Sequence, residues 1–487
     1  MSGLPKAFLD DIAANIDDDT PRLVYADWLE ENGQGERAEF IRVQIERARL
    51  PSWDAEQVRL RIREKDLHDA HGEAWLKEVP KVEGAKWEGF RRGIVAEVSF
   101  ASYEAMRTKA HECRLLAPVE AVTVRWPRKR ESKDGGPPIA ELRELNVTGI
   151  PADMDEVSRL ADSPQLSTLR TLTVHGMGHQ MMARLVGSKH LAKLKALRVP
   201  SNNLGNDGIH SLVRAAALSA LEELDLSGRG VSERYQDDPI VRSAGMEALA
   251  AWPGLATVRV LNLTGNEFGR VGLRALLRSP HASALKELSV RGGRLDGQAM
   301  AEFDTDVRGL RLDTLDVGAN LLKDVGAEYV ALAPSLKDLK VLRMDACEVT
   351  ITGAKLLAKK AAFLNDLRVL DVAYNHFRLP GLSALLDRKP PALHTLLMRD
   401  NDLGDDGAEH LAGSPATDGL RELDVSGNMM ENNAAMYLSE ATHLKELVSL
   451  RIADNVMKPW AEKALRESPL GKRLAELVLG RGEKIPF

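Results

Sequence analysis

Leucine recurs along the chain at a fixed spacing. The segment LRELDVSGNMM, which begins at Leu420, has apolar residues at positions 1, 4, 6 and 11 of an eleven-residue frame and Asn at position 9. Successive frames start 25 to 28 residues apart, except for one interval of 37 after Leu221. Position 1 of the frame falls at Leu142, Leu169, Leu194, Leu221, Val258, Leu285, Leu312, Leu339, Leu367, Leu393, Leu420, Leu447 and Leu474. This period indicates one supersecondary unit stacked many times.

Each unit is predicted to contain a short strand followed by a helix. Apolar residues at positions 4 and 6 alternate with more polar ones, as in a strand with one buried face. After Leu393, the stretch DDGAEHLAGS carries Ala408 and Leu411 at helical spacing. Two weaker frames, at Val95 and Val119, predict degenerate first turns. We therefore expect about thirteen regular parallel strands inside and helices outside.

A repeat of about 27 residues with a full helix after its strand resembles the ribonuclease-inhibitor-like class of leucine-rich repeats. The resemblance covers roughly residues 90–487. It implies an α/β leucine-rich-repeat solenoid of horseshoe form, with degenerate turns in 89–141 and regular repeats in 142–487. Members of this class mostly bind proteins on the concave face of the sheet, so the resemblance implies a protein partner.

Residues 1–50 follow a helical period and lack the leucine frame. Phe8, Leu9 and Ile12 fall on one face of a first helix, and two more helices are predicted before residue 50. The strings RLVYADWLEENG and RAEFIRVQ resemble the short repeat-companion domain found ahead of repeat arrays in some bacteria. We expect a small all-α module in 1–50, a connecting helix in 51–88 and the solenoid in 89–487. The module is expected to cover the first repeats, because an uncovered solenoid end exposes its core.

Position 9 of the frame is Asn in seven units, and the amide is predicted to be structural. It can satisfy backbone groups left free where the strand turns away, which gives an internal ladder from unit to unit. The predicted ladder consists of Asn202, Asn266, Asn320, Asn375, Asn401, Asn428 and Asn455.

Composition and motifs argue against catalysis and against export. The net charge of −6 gives no reason to expect a nucleic-acid or membrane partner, and two distant cysteines indicate a reducing compartment. No secretory signal and no run of 18 apolar residues is seen, so we expect a cytoplasmic protein. The metalloprotease, nucleophile-elbow and Walker A motifs are missing. The group His68, Asp69, His71 and Glu73 is predicted to be a solvated helix face, so neither metal nor cofactor is expected.

Position 5 of the frame is predicted to carry a ladder of opposite charges on the concave face. Asp316, Arg343 and Asp371 fall on three successive strands, and Asp424 and Arg451 on two more. The ladder is broken at Leu397, an apolar residue at an outward position.

A partner is predicted to bind at this break. Tyr374 at position 8 of the preceding unit, Arg399 and Arg343 would complete a cluster of aromatic, aliphatic and Arg side chains around Leu397, the types that dominate binding energy. Tyr235, in the ten-residue insert after Leu221, is the next candidate contact.

Three functions remain open at this level. The first is a non-catalytic scaffold or adaptor that binds a protein on the concave face. The second is a regulator of an enzyme, since GTPase-activating proteins and nuclease inhibitors use this repeat class. The third is a self-assembling structural component. All three stay open because the fold alone does not determine the function.

Overall fold

The structure is a computed structural model that describes residues 6–126, 142–151, 153–201, 204–228, 240–304 and 309–480. These residues form two compact units. The first unit contains most of the chain before residue 240 and residues 252–258. The second contains the chain from residue 259 onward, residues 241–251 and the short segment 53–59.

The chain begins with helices, as its amino-terminal pattern predicts. Helices α1 to α5 are Lys6–Ala14, Thr20–Glu31, Gly35–Arg49, Glu56–Leu67 and Glu73–Glu78. A five-residue π-helical turn, His68–Gly72, lies between the last two. Pro21 is in the first turn of α2, where its missing N–H has no helical partner to lose.

The described residues of the first unit form seven strands. Strands β1 to β7 are Ala85–Arg91, Ile94–Phe100, Ala121–Arg125, Glu144–Thr148, Thr171–Val174, Ala196–Arg198 and Glu223–Asp225. From β2 to β7 each strand pairs in parallel with the next. Strand β1 instead pairs antiparallel with β2.

Strand β1 corrects the prediction of a connecting helix up to residue 88. The hairpin turns at Arg92 and Gly93, both with positive φ (47° and 79°), as two-residue hairpin turns require. The degenerate frames at Val95 and Val119 correspond to β2 and β3.

The strands of the second unit are short and strictly parallel. Strands β8 to β16 are Val260–Asn262, Glu287–Ser289, Thr314–Asp316, Val341–Arg343, Val369–Asp371, Thr395–Leu397, Glu422–Asp424, Ser449–Arg451 and Glu476–Val478. Neighbouring strands pair at equivalent frame positions. Every strand from β4 to β16 begins at position 3 of its frame, so the thirteen predicted repeat strands are present.

Helices α6 to α18 lie in the segments that connect these strands. They are Tyr103–Leu116, Met154–Ala161, His179–Val186, Gly205–Val213, Ser243–Ala250, Gly269–Leu277, Lys323–Leu332, Ile351–Lys360, Arg378–Asp387, Gly404–Gly413, Asn432–Ser439, Pro459–Glu467 and Pro469–Arg473. The unit from Leu285 departs from the prediction, because a 3₁₀ helix at Gly297–Phe303 replaces its α-helix. A Cβ on Gly297 would lie 2.5 Å from the Leu322 carbonyl oxygen, so the next repeat packs closely there.

Leucine fills the core, as its spacing predicts. The position-4 leucines of β4 to β15 are at most 2% exposed, whereas positions 3 and 5 are mostly half-exposed. The chain therefore folds as an α/β leucine-rich-repeat solenoid. We call the face of the sheet that carries positions 3 and 5 the open face; it corresponds to the predicted concave face.

The amino-terminal helices pack against the first strands of their own unit. Ile94 of β2 belongs to one core cluster with Ile12, Tyr25 and Ile41 of α1 to α3. The buried Arg22 bonds to the Ile16 carbonyl oxygen at 3.0 Å and to Glu120 at 2.8 Å.

Candidate functional site

The candidate site begins at Leu397, where the row of charged side chains on the open face is interrupted. The strand register places Leu397 opposite Asp371 on β12 and opposite Asp424 on β14. Its side chain is half-buried, while Leu396 is fully buried in the core. The structure thus gives Leu397 apolar contact area on a face where both neighbouring strands carry an aspartate.

Tyr374 lies one strand away, in the turn that follows β12. Its backbone N–H donates to the Arg399 carbonyl oxygen at 2.7 Å, and its ring centre lies 6.0 Å from the Arg399 guanidinium carbon. That distance is within the range of a cation–π contact. Burial raises the pKa of the Tyr374 phenol, so the hydroxyl stays protonated at neutral pH.

Tyr374 adopts an unusual backbone conformation, with φ +54°. Position 8 is left-handed in most of the described repeats, because the chain turns sharply there after the strand. The residues at this position with positive φ are Gly149, Gly176, Ser201, Gly265, Gly292, Ala319, Ala346, Tyr374, Asp400, Gly427 and Asp454. A positive φ is less favourable for a bulky aromatic residue than for the other residue types at this position. Residues in disfavoured backbone conformations are common at binding sites.

Two carboxylates of the second compact unit hold the Arg399 side chain. Its Nη2 lies 2.5 Å from Asp454 Oδ2, and its Nε lies 3.1 Å from Asp400 Oδ2. The predicted residue is therefore present beside Tyr374, with its guanidinium fixed in place. A partner would meet a preorganised group of one aromatic ring, one Arg and two carboxylates.

Arg343 lies two strands from Leu397 and faces an acidic environment. The register places it opposite Asp316 and Asp371. Burial and the neighbouring charge of Asp345 raise the pKa of Asp371 to about 7, although Arg343 acts in the opposite direction. We call Leu397, Tyr374 and Arg399 the Leu397 cluster, because they lie on β13 and in the turns that follow β12 and β13. Arg343 lies two strands away, in an adjoining acidic patch.

The predicted charge ladder exists in a different form. Asp424 and Arg451 are register neighbours, but the Arg451 guanidinium contacts Glu476 at 3.1 Å and Glu422 at 3.5 Å. Arg198 likewise pairs with Glu223 at 2.5 Å. The long Arg side chain at position 5 reaches a glutamate at position 3, because diagonal neighbours in a sheet lie within reach of such side chains.

The asparagines at position 9 form the predicted ladder in the second unit. Asn375 Oδ1 accepts from the backbone N–H groups of Cys347 and Val349, and its Nδ2 donates to the carbonyl oxygens of Met344, Val372 and Ala373. Hydrogen bonds of the same kind are made by Asn266, Asn320, Asn401, Asn428 and Asn455.

Two predicted residues, Asn202 and Tyr235, lie outside the described residues. Within the described ranges, no group of three or more His, Cys, Asp or Glu has the geometry of a metal site. His71 stacks on Trp75, and Asp69 pairs with Lys65. Among the described helices, none is both long and apolar enough to cross a bilayer.

Sequence reasoning missed one contact region, on the edge of the sheet. His394 and Arg421, at position 2 of two successive repeats, contact Trp53 and Glu56. No local pattern indicates this contact, because its members are more than 300 residues apart in sequence.

Comparisons with known proteins agree with the repeat assignment. A family model described as leucine-rich repeat matches residues 254–277, 364–386 and 390–412. The ribonuclease inhibitor of Sus scrofa is 28% identical over 261 residues, which cover 51% of this chain and 55% of that protein. The ribonuclease inhibitor of Mus musculus is 27% identical over 215 residues, 42% of this chain and 44% of that protein. The chain thus spans about half the length of these relatives.

Two solved structures are also similar. An internalin from Listeria monocytogenes has a TM-score of 0.44 at 15% identity, over 78% of this chain and 94% of the internalin. The yeast Rad7 and Elc1 complex contains a chain with a TM-score of 0.49 at 13% identity, and the match covers 98% of both chains.

Proposed function

We propose that this chain is a non-catalytic scaffold or adaptor that binds a protein partner on the open face of its sheet, centred on Leu397. The observation that carries the proposal is the half-buried Leu397 between Asp371 and Asp424. Leu397 interrupts the row of charged side chains at position 5 and takes no part in their ion pairs. It suits the centre of an interface, where apolar area is covered and charges are few.

The neighbours of Leu397 support this choice. Tyr374 places a bulky aromatic side chain at a left-handed position where the other described repeats have Gly, Ala, Ser or Asp, and its ring centre lies 6.0 Å from the Arg399 guanidinium carbon. Tyr and Arg dominate binding energy when they are rigid and lie near the centre of an interface. Asp400 and Asp454 fix Arg399, so little side-chain freedom is lost when a partner binds.

The partner is proposed to be a protein, met in the reducing cytoplasm of a bacterium. The buried free thiols Cys113 and Cys347 support a reducing compartment. The bacterial assignment, and the reading of residues 1–50 as a repeat-companion module, rest on the resemblance of the amino-terminal segment. The boundary at residue 50 is part of the same proposal, whereas residue 88 lies inside strand β1.

The test is a double substitution, Leu397→Glu with Tyr374→Ala, in the intact chain. A partner would first be captured from the native cell and identified by mass spectrometry, and its affinity then measured by isothermal titration calorimetry. We expect the double variant to weaken binding by about 2 kcal/mol or more while the melting temperature stays nearly constant.

The matched control is Leu332→Glu with Tyr329→Ala, which makes the same two changes on α12. Leu332 is 49% exposed, so its replacement should leave the fold intact. The control should bind the partner as the wild type does. Equal affinity of the Leu397 double variant and the wild type would move the contact surface away from this site, with the segment around Tyr235 as the next candidate.

A second candidate is a regulator of an enzyme, favoured by the similarity to two ribonuclease inhibitors. Addition of the purified chain to a ribonuclease assay, and to a panel of GTPases, tests this reading directly. Inhibition of the nuclease or stimulated GTP hydrolysis at stoichiometric concentration would replace the adaptor proposal. Self-assembly is the third reading, and static light scattering over a range of concentrations would reveal it.

A further inference from the structure

Residues 53–59, with the sequence WDAEQVR, pack within the second unit, against the edge where β13 and β14 begin. His394 Nε2 lies 2.9 Å from the Trp53 carbonyl oxygen, and Arg421 Nη1 lies 3.0 Å from Glu56 Oε1. Since a carbonyl oxygen only accepts, Nε2 of His394 carries the proton. His394 Nδ1 lies 3.2 Å from the Thr395 hydroxyl, which completes the bonding of the ring.

The edge that receives this segment is basic. Arg368, His394 and Arg421 occupy position 2 of three successive repeats, and we call them the position-2 edge. Burial lowers the pKa of His394 and keeps the ring neutral, so the charge comes from the two arginines. The Nε of Arg368 is buried and has no hydrogen-bond partner among the described residues. The position-2 edge therefore has a hydrogen-bond donor, Arg368 Nε, that residues 53–59 do not use.

The segment carries two carboxylates, Asp54 and Glu56, and its ion pair with the position-2 edge is partly exposed. Asp54 Oδ1 accepts from the Glu56 N–H at 2.9 Å, so it caps the turn that begins α4, and its charge acts on His394. The Arg421–Glu56 pair is partly exposed on both sides, 27% and 35%. Ion pairs of that exposure are weak, so the contact can be exchanged for another.

From these contacts we propose that the position-2 edge is a docking site for an acidic peptide segment of a partner protein, and that residues 53–59 occupy it as an internal ligand. The partner must displace this segment to bind. The proposal is independent of the Leu397 cluster, because the two sites lie on different parts of the strands.

The distance between the two arginines of the position-2 edge sets the spacing of acidic residues expected in the partner. Arg368 and Arg421 are two strands apart, about 10 Å in a parallel sheet. An extended peptide rises about 3.3 Å per residue, so two carboxylates about three residues apart reach both guanidinium groups. The expected ligand is an extended segment with two acidic residues at that spacing and a free backbone carbonyl for His394.

The experiment measures binding of a fluorescently labelled peptide, residues 50–60 of this chain (LPSWDAEQVRL), to the full-length protein by fluorescence polarisation. A release variant, Asp54→Lys with Glu56→Lys, would repel the segment from Arg421. We expect it to bind the peptide at least tenfold more tightly than the wild type, whose site is occupied. Arg421→Glu or Arg368→Glu in the release background should weaken binding at least tenfold.

Hydrogen exchange provides a second readout that does not depend on the peptide. Amides of residues 53–59 should exchange faster in the release variant, and Glu56→Lys combined with Arg421→Glu should restore their protection by reversing both charges. A control with the same charge change at exposed sites, Asp69→Lys with Glu73→Lys, should match the wild type in both assays. The proposal is wrong if the release variant binds no more tightly than the wild type, or if Arg421→Glu leaves its binding unchanged.

Discussion

Arg291 reaches across an entire repeat to bind Asp345, with both carboxylate oxygens 2.6 Å from guanidinium nitrogens. The strand between them carries Asp316, whose carboxylate lies 3.9 Å from the same guanidinium. One Arg thus serves two acidic residues on the open face. Asp345 is nearly buried, so water has little access to this ion pair.

Replacement of Arg291 by Met is expected to lower the free energy of unfolding by about 2 kcal/mol, because a nearly buried carboxylate loses two charged hydrogen bonds. Urea denaturation monitored by circular dichroism measures the change. Arg311→Met is the control, since Arg311 and Asp338 are both about half exposed, and it should cost less than about 1 kcal/mol. Equal losses in the two variants would contradict the assignment.

Asp371 is expected to make stability depend on pH. Its pKa is raised to about 7 by burial and by Asp345, whereas an unfolded Asp titrates near pH 4. The folded chain holds this proton more tightly, so the resulting stabilisation is complete below about pH 4 and is lost as pH rises through 7. Asp371→Asn should gain roughly 3–4 kcal/mol relative to the wild type between pH 4 and 8, because the pKa is raised by about three and each pKa unit corresponds to about 1.4 kcal/mol. Urea unfolding at the two pH values measures this. The same stability difference between wild type and variant at pH 4 and at pH 8 would refute the prediction.

Replacement of Asn401 should lower the free energy of unfolding more than replacement of most other polar residues of the second unit. It is fully buried, accepts from the Phe377 N–H, and donates to the Val372 and Arg399 carbonyl oxygens. Asn401→Ala leaves these groups without partners and should cost about 3 kcal/mol. Asn365→Ala removes the same amide from an exposed site and should cost under about 0.5 kcal/mol. Thermal melts of both variants provide the comparison.

Gly93 joins β1 and β2 beneath α3, and its replacement tests how the amino-terminal helices are held. A Cβ at Gly93 would lie 2.3 Å from Ile41 Cα, while one at Gly33, at nearly the same φ, would meet nothing within 4 Å. Gly33→Ala should therefore cost about 1 kcal/mol from backbone strain alone. Gly93→Ala should cost at least about 2 kcal/mol more. Similar costs would mean that the helices pack loosely on β2.

The repeats could be predicted from the sequence, and their long-range contacts could not. The leucine spacing located every strand from β4 to β16, and in the frames of β4 to β15 positions 4 and 6 are buried. It did not indicate β1, since Ala85–Arg91 has no leucine frame and depends on pairing with β2. Leu397 and Tyr374 stand out in the frame, but the strain at Tyr374 and the bonds that fix Arg399 required coordinates.

The asparagine ladder has a direction. Each Asn Oδ1 accepts backbone N–H groups of the repeat before it, as Asn428 does for Asn401 and Leu403, and Asn455 for Asn428 and Met430. The side-chain part of the ladder thus runs one way, because the turn after each strand depends on the Asn of the next repeat. Removal of the last repeat that carries an Asn would leave two backbone N–H donors in the turn before it without their amide acceptor. A truncation from the carboxyl side should therefore loosen the turn that follows the last remaining strand.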